Sequence, residues 1–440
     1  MNLVEKVKNA GVVGAGGAGF PTYVKLQSRV EWYLANGAEC EPLMHKDREL
    51  MTAFAGEVVT GLKLAAETVQ SERVVIGIKS KNAAAIQAMQ SAIDDEKITI
   101  KEFGDFYPVG DEYELVYEIT GRLIPPQGLP LDIGCVVNNV ETLYNIYRAS
   151  QGQAVTDTFL TVTGLVKNPL TTRVPIGMPV EEVLNLAGGV TTDSFALMES
   201  GLMMGKRIYD LRQPVTKTTG GLIVLPAEHP LIQRYDKPPK VKARIGHSAC
   251  DQCSYCTELC PRYLLGYNVQ PHLVMRSLGF TSLGSDIWNQ HALLCSQCGL
   301  CTLYSCPESL YPREACGQGM QDMRAIGKGK WTGKTYLKVH PMRHARRTPL
   351  KQLMNRLGVA QYDDHAEFVE TNARPGRVYI PLQQHIGVPA SAVVSVGDVV
   401  QKGQLIGRIP DDKLGAPVHA SIDGQVLEVR EDMIVIERTS

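Results

Sequence analysis

The sequence predicts a multidomain α/β protein whose third quarter is helical and cysteine-rich and whose end is all β. Three observations predict it. Up to about residue 150, short apolar runs such as Val74-Val75-Ile76-Gly77-Ile78 alternate with helical stretches, as buried strands covered by helices do. Eight of the 11 cysteines fall between Cys250 and Cys306, in two near-identical runs. Beyond Arg377 the chain consists of short strands and turn glycines. A length of 440 residues accommodates roughly three or four domains.

Taken in order, residues 1–150 begin with a charged amphipathic helix at Met1-Asn2-Leu3-Val4-Glu5-Lys6 and continue as α/β, with a helical run from Ala83 to Ile93. The texture changes over residues 151–230. Phe159-Leu160-Thr161-Val162-Thr163-Gly164 alternates as a strand, Val174-Pro175-Ile176-Gly177 reads as a second, and Pro179 to Gly189 as a short helix with a glycine stop, making a compact α+β insert. Residues 231–323 form the cysteine domain, with a helical linker between its two runs. Residues 324–376 are a basic linker. From Arg324 to Tyr362 there is no Asp or Glu, while Arg324, Lys328, Lys330, Lys334, Lys338, Arg343, Arg346, Arg347, Lys351 and Arg356 are all cationic. Such a stretch is either a solvated connector or a docking face for an acidic partner or a phosphate-bearing ligand. Residues 377–440 close the chain as the all-β unit.

The cysteine runs carry the clearest chemistry. The first is Cys250-x2-Cys253-x2-Cys256-x3-Cys260-Pro261 and the second Cys295-x2-Cys298-x2-Cys301-x4-Cys306-Pro307. Three thiolates at this spacing wrap three corners of an iron–sulfur cube, and a remote Cys-Pro supplies the fourth. In two-cluster ferredoxins the fourth cysteine ligates the other cluster. On that pattern one [4Fe–4S] cluster takes Cys250, Cys253, Cys256 and Cys306, and the other takes Cys295, Cys298, Cys301 and Cys260. The x4 gap departs from the pattern by one residue. A tetrahedral zinc ion needs neither the third cysteine nor the Cys-Pro. Disulfides are not expected behind an amphipathic start with no signal-peptide character, so a reducing cytoplasm is expected instead. Cys40, Cys135 and Cys316 lie outside the runs and read as small buried residues.

Composition excludes several classes. A formal net charge of -1 provides no global field for nucleic acid or an anionic membrane. No apolar stretch approaches the ~20 residues of a transmembrane helix.

The second chemical signal is Gly14-Ala15-Gly16-Gly17-Ala18-Gly19-Phe20-Pro21. Clustered glycines let backbone approach a phosphate or a flat ring, and a helix starting beyond Pro21 would present free N–H groups, with Lys25 within reach. The spacing does not match a Rossmann G-x-G-x-x-G after a strand. Asn36-Gly37-Ala38-Glu39-Cys40-Glu41-Pro42, Tyr107-Pro108-Val109-Gly110-Asp111-Glu112 and Asn138-Asn139-Val140-Glu141-Thr142-Leu143 follow in order. Over roughly the first 150 residues, these four motifs resemble the flavin-bearing, NADH-binding subunit of respiratory complex I and the C subunit of the Rnf electron-transport complex.

The resemblance implies a Rossmann-like domain holding FMN, with NADH as electron donor. It implies that Gly14, Gly16 and Lys25 contact the FMN phosphate and ribityl region. Asn36, Asn138, Asn139 and Thr142 would hydrogen-bond the flavin or its phosphate. Tyr107, Gly110, Asp111 and Glu112 would line the isoalloxazine and nicotinamide pocket, with Tyr107 and Glu112 nearest the chemistry. Phe20 would stack on the dinucleotide, and Glu39 and Glu41 would hold it. Ala38 and Ala15 stand where complex I has an aspartate and an arginine, departures that leave the affinity for FMN open.

The order of parts resembles one family over the whole chain. The insert resembles the SLBB-type β-grasp domain. The end resembles a biotinyl/lipoyl-like barrel-sandwich hybrid, but Ser421-Ile422-Asp423-Gly424 has no carrier lysine, which favours a structural or docking role. A flavin domain, β-grasp insert, α-helical ferredoxin-like domain with two [4Fe–4S] clusters and a C-terminal barrel-sandwich look like the cobalamin reductases of propanediol-utilising bacterial microcompartments. In the Rnf C subunit the barrel-sandwich typically comes first. The resemblance implies NADH-dependent reduction of cob(III)alamin through cob(II)alamin to cob(I)alamin. It places the protein in the cytoplasm, within or on a microcompartment, beside a shell protein and an adenosyltransferase. The alternatives are an Rnf-like subunit feeding a membrane partner, and a shell-docked electron conduit that performs no catalysis. No residue motif demonstrates cobalamin binding: Asp363-Asp364-His365-Ala366 lacks the glycine of a base-off motif.

Overall fold

The structure is a computed structural model describing residues 1–279, 285–334 and 337–439. Its first sheet is built from β1 (Trp32–Gly37), β2 (Arg73–Lys79), β3 (Ile98–Phe103) and β5 (Cys135–Asn139), in the order β3-β2-β1-β5. All three pairings are parallel. Leu34, Ile76 and Val136 are buried, as strands covered on both faces require. Helices Ala55–Thr68 and Val140–Ser150 pack so closely on one face that a Cβ at Gly61 would stand 1.9 Å from the Leu143 carbonyl oxygen. Strand order reverses between β1 and β5, and their carboxyl ends flank the crevice where open α/β sheets bind ligands.

A two-residue strand, β4 (Phe106–Tyr107), leaves this sheet and pairs antiparallel with Thr348–Pro349 of the basic linker. The insert is a five-stranded mixed sheet of β6 (Asp157–Gly164), β7 (Leu170–Pro175), β8 (Phe195–Glu199), β9 (Lys206–Ile208) and β10 (Gly221–Pro226). Only β6 and β10 run parallel within it. Helix Val180–Leu186 covers its apolar face through Val183 and Leu184. The cysteine runs sit among short helices, chiefly Pro239–Ala249, Pro271–Ser277 and Pro312–Ala325. At the end, a four-stranded and a three-stranded sheet enclose a core that includes Val378, Ile380, Ile406, Val426 and Ile436.

Half of the ten cations from Arg324 to Tyr362 are tied down against neighbouring domains, so over those residues the linker is neither a solvated connector nor a free cationic face. Arg343 is 2% exposed and pairs with Glu114 and Glu118 on helix Glu112–Thr120, and Arg347 shares Glu118. Arg346 pairs with Glu258, Lys328 with Asp286 at 2.7 Å, and Arg356 donates to the Cys306 carbonyl at 3.4 Å. The cations bind the linker to the flavin-type and cysteine domains as a strap. Beyond it, Thr171 bridges to Phe368, and the Phe368 amide donates to Glu49 at 3.1 Å.

Candidate functional site

The glycine loop lies over the crevice between β1 and β5. It is a tight reversal closed by Gly14 N–H to Phe20 O (2.9 Å) and Gly19 N–H to Gly14 O (3.2 Å). The Ala15 amide donates to Thr142 Oγ1 at 3.0 Å, so fully buried Thr142 orders the loop. A Cβ at Gly16 would sit 3.4 Å from Asn139, whereas a Cβ at Gly17, at φ +119°, would meet nothing within 4 Å. The loop therefore presents bare backbone to open space beside Asn139, which suits the close approach of a phosphate or flat ring.

Around this cradle the polar groups are paired and few are free. Asn36 donates to the Gly110 carbonyl at 3.0 Å and accepts from Ala38 N–H at 3.1 Å. A Cβ at Gly110 would come within 2.6 Å of the Ala38 carbonyl oxygen, which explains the glycine. Asn139 donates to Asp47 at 2.6 Å. Asn138, one residue along β5, turns to the opposite face and donates to the Tyr33 hydroxyl inside the sheet. Lys25 donates to the Val137 carbonyl at 2.7 Å and stands 3.9 Å from Glu112 at the mouth. Burial lowers the Lys25 pKa against the pull of Glu112.

Beneath the loop lies a charged group that sequence reasoning missed. Lys46, 3% exposed, contacts Glu141 at 2.8 Å, Asp47 at 3.3 Å and the Ala15 carbonyl at 3.3 Å. Burial alone would depress its pKa, but Asp47, Glu141 and Glu39 together hold it above the usual lysine value. Glu39 is pushed up to about 8 by burial and by Asp47. The only sequence signal was the charged turn His45-Lys46-Asp47, which looks like any helix start. A small cleft opens here, lined by Glu39 and Glu41 together with Arg48, Lys79 and Lys81.

Three expected pocket residues serve as bridges. Tyr107 is 2% exposed, and its hydroxyl donates to the Cys298 carbonyl at 2.7 Å. Asp111 caps helix Glu112–Thr120 through the amides of Tyr113 and Glu114 and pairs with Arg262 at 3.1 Å. Glu41 accepts from the amides of Met203 (2.8 Å) and Met204 (2.9 Å), and burial lifts its pKa to about 7. Arg313 donates to the Met203 carbonyl at 2.7 Å, so the flavin-type domain, the insert and the cysteine domain meet at that loop.

The eight cysteines of the two runs lie close together, with Cys301 near Cys295 and Cys298 but also near Cys256, and with Cys316 in contact with Cys295. Cys306, Cys250 and Cys253 crowd Cys256, while Cys298 and Cys295 crowd Cys260. The fourth cysteine of each run thus lies near cysteines of the other run's triplet. Burial and the neighbouring sulfurs both push the Cys256 thiol up to about 12, a penalty that metal ligation removes. Gln252 and Ser254 in the first run have positive φ of 63° and 67°, and Gln297 and Gly299 match them at 58° and 83°. Both runs therefore curl the same way around their centres.

The extra residue of the x4 gap is absorbed by a π-helical turn over Cys301–Ser305, which brings Cys306 to its place. A small cavity is lined by Cys260, Cys295, Cys298 and Cys301. Amide donors already point at sulfur: Gln297 N–H to Cys295 Sγ and Leu310 N–H to Cys306 Sγ, both at 3.3 Å. Among the described residues no three His, Cys, Asp or Glu side chains converge tightly enough to hold one metal ion.

Comparison with known proteins gives a consistent set of matches. The family model for the Nuo51 FMN-binding domain matches residues 7–148 and that for the SLBB domain residues 159–206. The 4Fe-4S dicluster domain matches residues 249–311, and the RnfC barrel sandwich hybrid domain residues 361–439. Cobalamin reductase PduS of Salmonella typhimurium is 42% identical over 435 residues, covering 99% of this chain and 96% of that protein. Its namesake from Citrobacter freundii is 40% identical, with 99% and 96% covered. The C subunit of the Na(+)-translocating ferredoxin:NAD(+) oxidoreductase complex of Acetobacterium woodii is 37% identical over 275 residues, 61% of this chain and 59% of that protein.

Proposed function

The chain belongs to the PduS cobalamin reductase family, and from that premise we propose that it passes electrons from NADH to cobalamin. The reaction balances as NADH plus cob(III)alamin giving NAD⁺, one proton and cob(I)alamin, two electrons in all. FMN, when bound, takes two electrons as a hydride and releases them singly, and two [4Fe–4S] clusters carry single electrons. The observation that carries the reading is the Tyr107 hydroxyl on the Cys298 carbonyl at 2.7 Å, which ties the flavin-type crevice directly to a cysteine tetrad.

In this reading the backbone of Gly14 to Gly17 and the Lys25 ammonium receive the FMN phosphate and ribityl chain. Asn36 and Asn139 order the crevice floor, with Thr142 holding the loop and Asn138 stiffening β5 from within. Phe20 and Glu112 stand at the mouth, where the dinucleotide arrives, and Glu39 faces the adjoining cleft. Tyr107, Asp111 and Glu41 act as positioning residues between domains, which differs from a direct pocket role. Cys250, Cys253, Cys256 and Cys306 hold one cluster; Cys260, Cys295, Cys298 and Cys301 hold the other.

We further propose that the protein works with a bacterial microcompartment, beside a shell protein and an adenosyltransferase, a reading supported by its likeness to the cobalamin reductases PduS. No described helix is long and apolar enough to cross a membrane. The test is anaerobic spectroscopy on protein reconstituted with FMN, iron and sulfide. NADH should bleach the flavin and cluster bands, and added cob(III)alamin should then pass to cob(II)alamin and cob(I)alamin. Bleaching with an unchanged corrinoid spectrum would overturn the reading.

A further inference from the structure

The two cysteine tetrads differ in their surroundings. Cys260, Cys298 and Cys301 are buried, and their neighbourhood is bonded to the flavin-type domain through Tyr107 and through Arg262 with Asp111. In the other tetrad Cys253 is exposed, unlike the remaining seven cysteines of the two runs, and Cys250 is half-buried. Tyr255, two residues on, is 54% exposed.

The surface beside Cys253 has a definite composition. Helix Pro239–Ala249 runs into Cys250 and carries Lys240, Lys242, Arg244 and His247 with no acidic residue. It packs on helix Pro271–Ser277 through Gly246, where a Cβ would meet Met275 and Leu278 at 2.9 Å. That contact brings Arg276 alongside. Arg276 lies over the Trp288 ring at 5.3 Å and donates to Gln252 Oε1 at 3.3 Å, and Gln252 in turn donates to Cys250 Sγ at 3.2 Å. Among the described residues Arg244, His247 and Arg276 form no ion pair. The result is an aromatic ledge, cationic on its helix side and edged by exposed Asp251, which accepts from Cys253 N–H at 3.2 Å, and it is connected by hydrogen bonds to a tetrad sulfur.

We propose that this ledge is where the electron acceptor docks, and that its occupant is a corrinoid whose phosphodiester is set against Arg276 while its flat ring approaches Tyr255 and Cys253. This rests on the reading that the acceptor is cobalamin. The argument for this occupant is chemical complementarity. An uncompensated guanidinium group favours an anion, an exposed tyrosine gives a flat ring apolar contact, and the exposed sulfur ligand offers the close approach that outer-sphere transfer needs. An acidic protein surface would satisfy the cations but makes no use of Tyr255 in this way.

The experiment uses the full chain reconstituted with FMN and iron–sulfur clusters, as wild type, as Arg276→Glu and as Tyr255→Ala. Binding of hydroxocobalamin and of cobinamide, which lacks the phosphodiester, is measured by equilibrium dialysis, and cluster EPR spectra are recorded for each protein. Arg276→Glu should weaken hydroxocobalamin binding by roughly fivefold to tenfold and leave cobinamide binding unchanged. Tyr255→Ala should weaken both ligands, with both EPR signals retained in each variant. Equal hydroxocobalamin affinity in wild type and Arg276→Glu would overturn the site while leaving the cobalamin reading intact. Loss of transfer to an acidic protein partner with corrinoid affinity unchanged would likewise overturn it. If wild type reduces ferricyanide with NADH but neither binds nor reduces a corrinoid, the underlying reading fails, and this inference with it.

Discussion

Removing the Arg343 guanidinium tests the strap that seats the cysteine domain on the flavin-type domain. Arg343 sits 2% exposed between Glu114 and Glu118, side chains that are 5% and 15% exposed, with its guanidinium 4.7 Å from the Tyr117 ring centre. Arg343→Met keeps much of the apolar stem and leaves two carboxylates without their main partner. Breaking a buried pair on one side costs about 3–5 kcal/mol, against under about 1 kcal/mol for a surface pair. Arg347 still reaches Glu118, so the loss falls mainly on Glu114.

The pH dependence has a definite sign. Burial lifts the Glu114 carboxyl to about 7 against the pull of Arg343, above its value in an unfolded chain. Between the two values the folded state binds more protons, so this group alone makes stability fall as pH rises through that window. Without Arg343 the window extends upward, and the deficit of the variant should be larger at pH 8 than at pH 6. The assay is urea unfolding of the reconstituted protein at both pH values, with Glu114→Gln and the double variant completing a cycle. A deficit below about 1 kcal/mol, or strictly additive variants, would refute the buried-strap argument.

Other perturbations have equally definite outcomes. Lys25→Met should weaken FMN retention by roughly tenfold, since it removes the charge-assisted donor at the cradle, as followed by fluorescence of released flavin. Cys253→Ser and Cys298→Ser should each abolish one cluster's EPR signal and about half the iron; both signals surviving in either variant would refute the tetrads. Buried Lys217 donates to Gly11 O (2.7 Å) and Pro417 O (3.0 Å), joining three domains, and burial depresses its pKa to about 7. From about pH 7 up to the ordinary lysine range the unfolded chain binds the extra proton, so stability from this group should rise with pH. The wild-type melting temperature should therefore climb more between pH 7 and 9 than that of Lys217→Met.

The readings that came directly from the sequence depend on residues close together in the chain. Cys-x2-Cys-x2-Cys encodes three corners of a cluster within one loop, and the repeated positive φ at Gln252 and Gln297 shows how locally that is set. The glycine run and the alternating strands are local in the same sense, so the α/β character of the first part and the all-β character of the last were legible. What the sequence could not show is which polar group meets which across long separations. Tyr107 reads as a pocket residue until its hydroxyl is found on Cys298, 191 positions away. The run from Arg324 to Tyr362 reads as uncompensated charge until Glu114, Glu118 and Glu258 are found facing it. Lys46 is an ordinary helix-start lysine until Glu141 closes over it, 95 positions later.

Thus, in this chain, three ligands of each iron–sulfur cluster were legible from spacing within a single loop, because ligand geometry is a short-range constraint. The coupling between its parts was decided by tertiary structure alone, because burial and ion pairing depend on which distant surfaces pack together.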